Sequence, residues 1–167
     1  MVIQTWQLIL ILFIFIACVV GLFIFLIRFK LKKAKDIAEK IGFIFFAQKN
    51  IPAEYLEVSK YLLYFWEFEF LSFGNISGQR VYFTQYLQKL PSQLPYVYAI
   101  FSLFENPRVF ASDEERKTSQ DQMQSTAPGA LLTEKGVFYY HPIPWALKKE
   151  DILEISKGIA AATQSLK

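Results

Sequence analysis

The chain has little with which to do covalent or metal chemistry. It contains one cysteine, Cys18, and one histidine, His141, among 167 residues. A single cysteine permits no internal disulfide. Together the pair cannot supply the thiolate and imidazole sets of structural zinc sites. Glycine and proline number 7 each, too few for collagen-like or proline-rich repeats. The span Gly74 to Gly78 is too short for dinucleotide or P-loop glycine spacing, and no G-x-S-x-G nucleophile elbow occurs. No cofactor or metal is therefore expected. Charge of either sign is missing from residues 1–27. A hydrophobic fraction of 53% against 20% charged residues excludes a disordered chain.

What is present first is a membrane segment. Leu8 to Ile27 is a continuous apolar run with no polar stripe. At ~1.5 Å per residue, its length matches a hydrocarbon core of ~30 Å. No basic residue precedes it, as the n-region of a cleaved signal peptide would require. Residues 1–28 are therefore predicted to be a retained anchor. Arg28, Lys30, Lys32, Lys33 and Lys35 follow immediately. Lysine and arginine favour the cytoplasmic flank of a span. The expected topology is single-pass in the cell (inner) membrane, with the N-terminus outside and the rest cytoplasmic. Trp6 sits where an outer interfacial aromatic belongs.

The net charge of +3 comes from this cluster, since acidic residues outnumber basic ones after Lys35. A nucleic-acid-binding domain would spread its lysines and arginines over a folded face, so no nucleic-acid partner is expected. The cluster has two readings. It sets topology, or it contacts anionic lipid headgroups at about 1 kcal/mol per basic residue. Within the run, Ala17 and Gly21 form a small-xxx-small pair of the kind found at helix–helix contacts. Cys18 reads as an ordinary small residue of the helix.

Leu31, Ala34, Ala38 and Ile41 keep helical spacing. They extend the span into a basic juxtamembrane helix over residues 29–42, ending at Gly42. Residues 43–167 are then a cytoplasmic domain. Phe43 to Phe46 is a short strand or a docking linker. A helix is predicted from Pro52 to about Leu63, and a strand from about Phe65. Phe68 and Phe70 alternate with Glu67 and Glu69, which places the two carboxylates on one face. They suit either acid–base work or the solvent side of the strand. Turn residues at Gly74-Asn75 and Ser77-Gly78 lead to a returning strand around Val81 to Tyr86. A third strand runs from Tyr96 to Phe104, bounded by Pro91 and Pro95. Residues 105–111 hold a short edge strand around Arg108 to Ala111. Residues 112–128, rich in charge and poor in large apolar side chains, read as a mobile loop. A second hairpin covers Gly129 to His141, ended by Pro142 and Pro144. A helix carrying Ile152, Ile155, Ile159 and Ala162 on one face closes the chain. The fold class is α+β: a transmembrane helix, then a small antiparallel sheet with helices packed on one side.

This order resembles an uncharacterised group of bacterial single-span membrane proteins with a cytoplasmic α+β domain. The matching pieces are Ala38-Glu39-Lys40-Ile41-Gly42-Phe43, Gly74-Asn75-Ile76-Ser77-Gly78, Val81-Tyr82-Phe83 and the segment from Pro144 to Leu166. Where such proteins carry an aromatic-Asp-Tyr sequence, this chain has Phe83-Thr84-Gln85-Tyr86. The resemblance implies an architecture and no activity.

Aromatic residues make up 17% of the chain. Tyr82, Tyr86, Tyr96 and Tyr98 are expected on one sheet face, either within an aromatic core or as an exposed surface for a partner. His141, between Tyr140 and Pro142, reads as a strand-end residue. The expected function is a membrane-tethered, non-enzymatic interaction module, an accessory or assembly subunit of a larger membrane complex. Its partners would be membrane lipid and another membrane protein, met through those four tyrosines. The alternative is a membrane-held domain that binds a small molecule or lipid in an enclosed pocket.

Overall fold

The computed structural model describes residues 5–88, 96–141 and 148–166. Pro91, Pro95, Pro142 and Pro144, which the sequence assigns as strand limits, lie outside the described residues. The chain divides into two compact units between Asp36 and Ile37.

The first unit is most of one helix. Helix α1 (Thr5–Lys40) is 36 residues long, about 54 Å at the helical rise. Its apolar part reaches a mean hydropathy of 3.4, and none of that stretch is buried within the chain. Large side chains such as Phe13, Phe15, Leu22 and Phe23 have no protein around them. A helix that is apolar on every side and uncovered by protein fits a lipid surround. The helix continues unbroken through the basic cluster to Lys40, as the spacing of Leu31, Ala34 and Ala38 predicts.

Helix α1 ends as its sequence predicts. Gly42 takes φ of +83°, the left-handed conformation that glycine adopts without a Cβ clash. Its N–H donates to the Glu39 carbonyl (3.0 Å), and the Phe43 N–H donates to the Ala38 carbonyl (2.8 Å). These are the paired bonds of a Schellman cap. The apolar contact that accompanies such a cap is made by Ala38 and Phe43, both buried.

The second unit is a sheet between two layers. Its strands are β1 (Ile44–Ala47), β2 (Phe65–Ile76), β3 (Gln79–Gln88), β4 (Tyr96–Leu103), β5 (Leu131–Thr133) and β6 (Gly136–His141). They form a 6-stranded antiparallel sheet in the order β1-β2-β3-β4-β6-β5. Ser77 and Gly78, with φ of 52° and 80°, make the tight β2–β3 turn in the double left-handed form that suits strand twist. After β1 a short helical segment follows, with α2 at Ala53–Leu56 and a 3-10 stretch at Glu57–Tyr61. Val58 and Leu62 from this region pack with Phe68, Leu71, Phe73, Tyr82, Tyr86 and Phe101 on one sheet face. Helix α4 (Lys149–Ser165) covers the other. It buries Ile152, Ile159, Ala160 and Ala162, close to the predicted apolar face. The Asp151 carboxylate caps its start, accepting from the Lys148 N–H at 3.0 Å.

Two segments differ from expectation. Residues 112–128 are not a mobile loop: Asp113–Thr126 form helix α3. The Ser112 hydroxyl accepts from the Glu115 N–H, and the Glu115 carboxylate accepts from the Ala111 N–H at 2.7 Å. Three acidic residues occupy its first turn, where the helix dipole favours them. The helix buries little besides Ser119 and Met123, which is why hydrophobic periodicity does not reveal it. The second difference is that Arg108 to Ala111 is not a strand. A single main-chain bond, from Arg108 N–H to the Glu134 carbonyl, ties it to the β5–β6 turn.

Gly136 sits opposite Leu103 on β4. A Cβ there would lie 2.2 Å from the Ser102 carbonyl oxygen, which is backbone and cannot rotate away. Gly136→Ala should therefore lower stability by about 1–3 kcal/mol, the usual cost of overpacking. Denaturant unfolding of the detergent-solubilised chain, followed by near-ultraviolet circular dichroism, checks this.

Candidate functional site

The four tyrosines do not share a face. Tyr82 stands opposite Phe101 and Tyr86 opposite Val97, whereas Tyr98 stands opposite Gln85. Side chains alternate along a strand, so Tyr82 and Tyr86 point to the side of Val58 and Leu62. Tyr96 and Tyr98 point to the side of α4. Tyr82, Tyr86 and Tyr98 are buried, and Tyr96 is half-buried. Tyr82 stacks on Phe101 at 4.9 Å, and Tyr98 on Phe83 at 5.6 Å. The predicted partner surface is core.

Glu67 and Glu69 lie in an irregular stretch of β2, and both are on the side of Tyr96. Register shifts in β2 fall between Phe65 and Glu67 and between Phe68 and Phe70. They leave Trp66 and Glu69 as the extra residues of two β-bulges. Phe68 then pairs with Tyr86 and Phe70 with Gln85, so the two phenylalanines enter opposite cores. Glu67 is exposed and Glu69 half-buried. Glu69 hydrogen-bonds Tyr96; burial, with the charge of Glu69 second, pushes the Tyr98 phenol up from 10.0 to about 12.

The bulges expose an aromatic tip at the start of β2. Tyr64 and Trp66 are each 61% exposed and Leu63 is 49% exposed. Tyr64 has φ of 52°, unusual for a bulky residue. The turn is held from beneath. The Tyr86 hydroxyl donates to the Leu63 carbonyl at 3.1 Å, and Gln88 donates to the Tyr86 hydroxyl at 3.3 Å. Leu63 also hydrogen-bonds Tyr140 through its main chain. Phe65 packs its ring inward against Phe68 (4.5 Å) and Tyr86 (5.8 Å). Tyr64 and Trp66, on either side of it, are left pointing out. Sequence reasoning missed this tip. The signal was available in Leu62 to Trp66, five consecutive apolar residues that no single strand face can bury.

The remaining candidates are quickly placed. His141 ends β6 opposite Tyr98, and its ring lies parallel to Tyr139 at 6.4 Å. Its Nε2 is buried and makes no hydrogen bond among the described residues. Among the described residues no three His, Cys, Asp or Glu side chains converge to hold a metal ion. Arg28, Lys30, Lys32, Lys33 and Lys35 are all exposed on α1. Arg28, Lys32 and Lys35 recur at spacings of four and three and so share a stripe. Ala17 and Gly21 are exposed, with open space around Gly21.

One small cleft of about 240 Å³ lies over Tyr139, between Ala127, Pro128 and the Ile155 and Gly158 side of α4. Ligand pockets commonly start near ~300 Å³ and hold several convergent polar groups. A larger opening of about 520 Å³ surrounds Arg108. That guanidinium is already engaged, donating to the Leu166 carbonyl at 2.6 Å. Comparison with family models, curated proteins and solved structures finds no match.

Tyr98 carries a pH signature. Its folded-state value is raised above the ordinary 10.0, so its contribution to stability is complete below that value and is lost as pH climbs through about 12. Such a shift corresponds to roughly 2–3 kcal/mol. Tyr98→Phe should flatten the alkaline fall in unfolding free energy, and a tyrosinate absorbance titration should lose one late-ionising phenol.

Proposed function

We propose that the protein is a membrane-tethered, non-enzymatic interaction module, serving as an accessory or assembly subunit of a larger membrane complex. The observation that carries this reading is the aromatic tip. A tyrosine in left-handed backbone carries a cost of order 1–3 kcal/mol, yet Tyr64 and the bulged Trp66 both stay 61% exposed. Large aromatics displayed rigidly are what interfaces use as anchors, because little conformational freedom is lost when they are covered. The partner contact therefore moves from the internal tyrosines to Leu63, Tyr64 and Trp66.

The anchor reading places the protein in the cell membrane with its N-terminus outside. Its support is the position of all five basic residues after the apolar run. On this reading Arg28, Lys30, Lys32, Lys33 and Lys35 lie in the cytoplasmic headgroup layer. Ala17 and Gly21 offer the closest approach for a partner helix.

Two experiments test these statements. A cytoplasm-active reporter fused after Lys167 should be active, and one active only outside should be silent; the reverse overturns the topology. Tyr64→Asn with Trp66→Ser should release whatever co-purifies in mild detergent, weakening binding by ~2 kcal/mol or more. The unfolding midpoint should stay unchanged or rise, since asparagine tolerates the left-handed turn. A folded variant that keeps every partner sinks the tip as the contact.

A further inference from the structure

The sheet has two edges, and they are treated differently. On the outer edge of β5, side chains from α3 occupy the main-chain groups. The Gln120 amide donates to the Ala130 carbonyl (2.8 Å) and accepts from the Leu132 N–H (2.7 Å). Gln124 donates to the same Ala130 carbonyl (2.7 Å) and accepts from the Gly129 N–H (2.8 Å). A side-chain amide carries the same donor and acceptor as a peptide unit. These glutamines thus fill the place of a neighbouring strand and close that edge.

The outer edge of β1 has no such cover. Among the described residues, no side chain or main-chain group outside the sheet bonds to Ile44–Ala47. Nor does Ile44–Ala47 contain a lysine, proline or glycine, the usual guards of an edge. Ile44 is 56% exposed. Phe45 and Phe46 are already seated on opposite faces, stacked on Phe70 (5.2 Å) and Phe73 (6.0 Å). The strand is thus apolar, held on both faces by its two rings, and without a neighbouring strand on one side among the described residues.

We infer that β1 is a strand-addition site, at which an extended segment of a partner protein joins the sheet as its next strand. This rests on the interaction-module reading and names the form of the partner. Charge decides against a second copy of this chain as occupant. Lys40 precedes β1, Lys49 follows it, and Arg80 shares a cleft with Ile44. Glu39 and Glu54 leave this rim net positive. Antiparallel pairing of two copies would bring Lys49 of one to the Lys40 and Arg80 end of the other. An apolar segment with acidic residues at its ends meets no such repulsion and gains attraction at both rims. Main-chain bonds then supply affinity, and alternate side chains extend the two aromatic faces.

The test uses the full chain in detergent micelles and a synthetic peptide of alternating valine and threonine with aspartate at each end. Amide exchange at the outward-facing, alternate N–H groups of β1 should slow about tenfold or more at saturating peptide, with no change at Leu132. A peptide N-methylated at alternate residues should give no protection, because it keeps the side chains and loses the ladder. A lysine-ended peptide should bind about tenfold more weakly. Equal binding by the N-methylated peptide, protection at Leu132 instead, or no protection at β1 overturns the proposal. So does protection at β1 without peptide that disappears on dilution, which would assign the edge to a second copy. The Tyr64 and Trp66 variant reads a different surface, so its failure is separable from these outcomes.

Discussion

The domain depends on one ladder of aromatic rings. Phe46, Phe73, Tyr82, Phe101 and Phe138 come from β1, β2, β3, β4 and β6, and each ring meets the next at 6.0, 5.9, 4.9 and 5.3 Å, stacked except for the tilted Phe73–Tyr82 pair. Neighbouring strands lie about 4.7–4.9 Å apart, so one ring per strand keeps successive rings in contact. Each such pair adds roughly 0.5–1.5 kcal/mol beyond the area it buries. The larger effect is on register. A slip of one residue turns a strand's side chains to the other face and removes its ring from the row. The ladder therefore fixes the register of five strands at once, and through Phe46 it includes the strand that follows α1.

Both faces of the sheet are consequently interior. The bulge at Glu69 sends Phe68 to the ladder side and Phe70 to the α4 side, where Phe70 meets Phe83 and Tyr98. A regular strand would have put both on one face and left the other polar. This division accounts for the high aromatic content without an exposed aromatic sheet face. It also moves any recognition surface to the ends and edges of the sheet. The bulge at Trp66 has the complementary effect, leaving that ring 61% exposed beside the equally exposed Tyr64.

Features written in local chemistry were legible in the sequence. The apolar run, the basic flank, the stop at Gly42, the Ser77-Gly78 turn and the spacing of Ile152, Ile159 and Ala162 each have a short-range cause. What escaped depends on partners far away in sequence. Helix α3 is held by a cap and by glutamines bonded to β5, and hydrophobic period does not record either. Its start was nonetheless written in Ser112 and Glu115, a capping pair three residues apart. The bulges in β2 arise from pairing with β3, and alternation alone put Phe68 and Phe70 on one face. The tyrosine face failed for the same reason: Tyr82 and Tyr98 each lie on a predicted strand, but the register that relates them is set by the ladder.

On the proposed reading of α1 as a membrane anchor, the small surfaces of this domain have less to achieve alone. A tip of two aromatic side chains and an edge strand of four residues are both far below the ~1,600 Å² of a standard stable interface. Free in solution, either alone would bind weakly, because association must first offset the loss of translational and rotational freedom. Confinement of both partners to one membrane removes much of that loss in advance, and effective concentration can raise apparent affinity by ~10²–10⁴ without any new contact. A closed β5 edge then has a clear use. When every encounter occurs at high local concentration, an open apolar edge on each side would invite chains of copies. On the strand-addition reading, Gln120 and Gln124 close one edge, and the net positive rim of the other, with Lys40, Lys49 and Arg80 against Glu39 and Glu54, disfavours the protein's own copies.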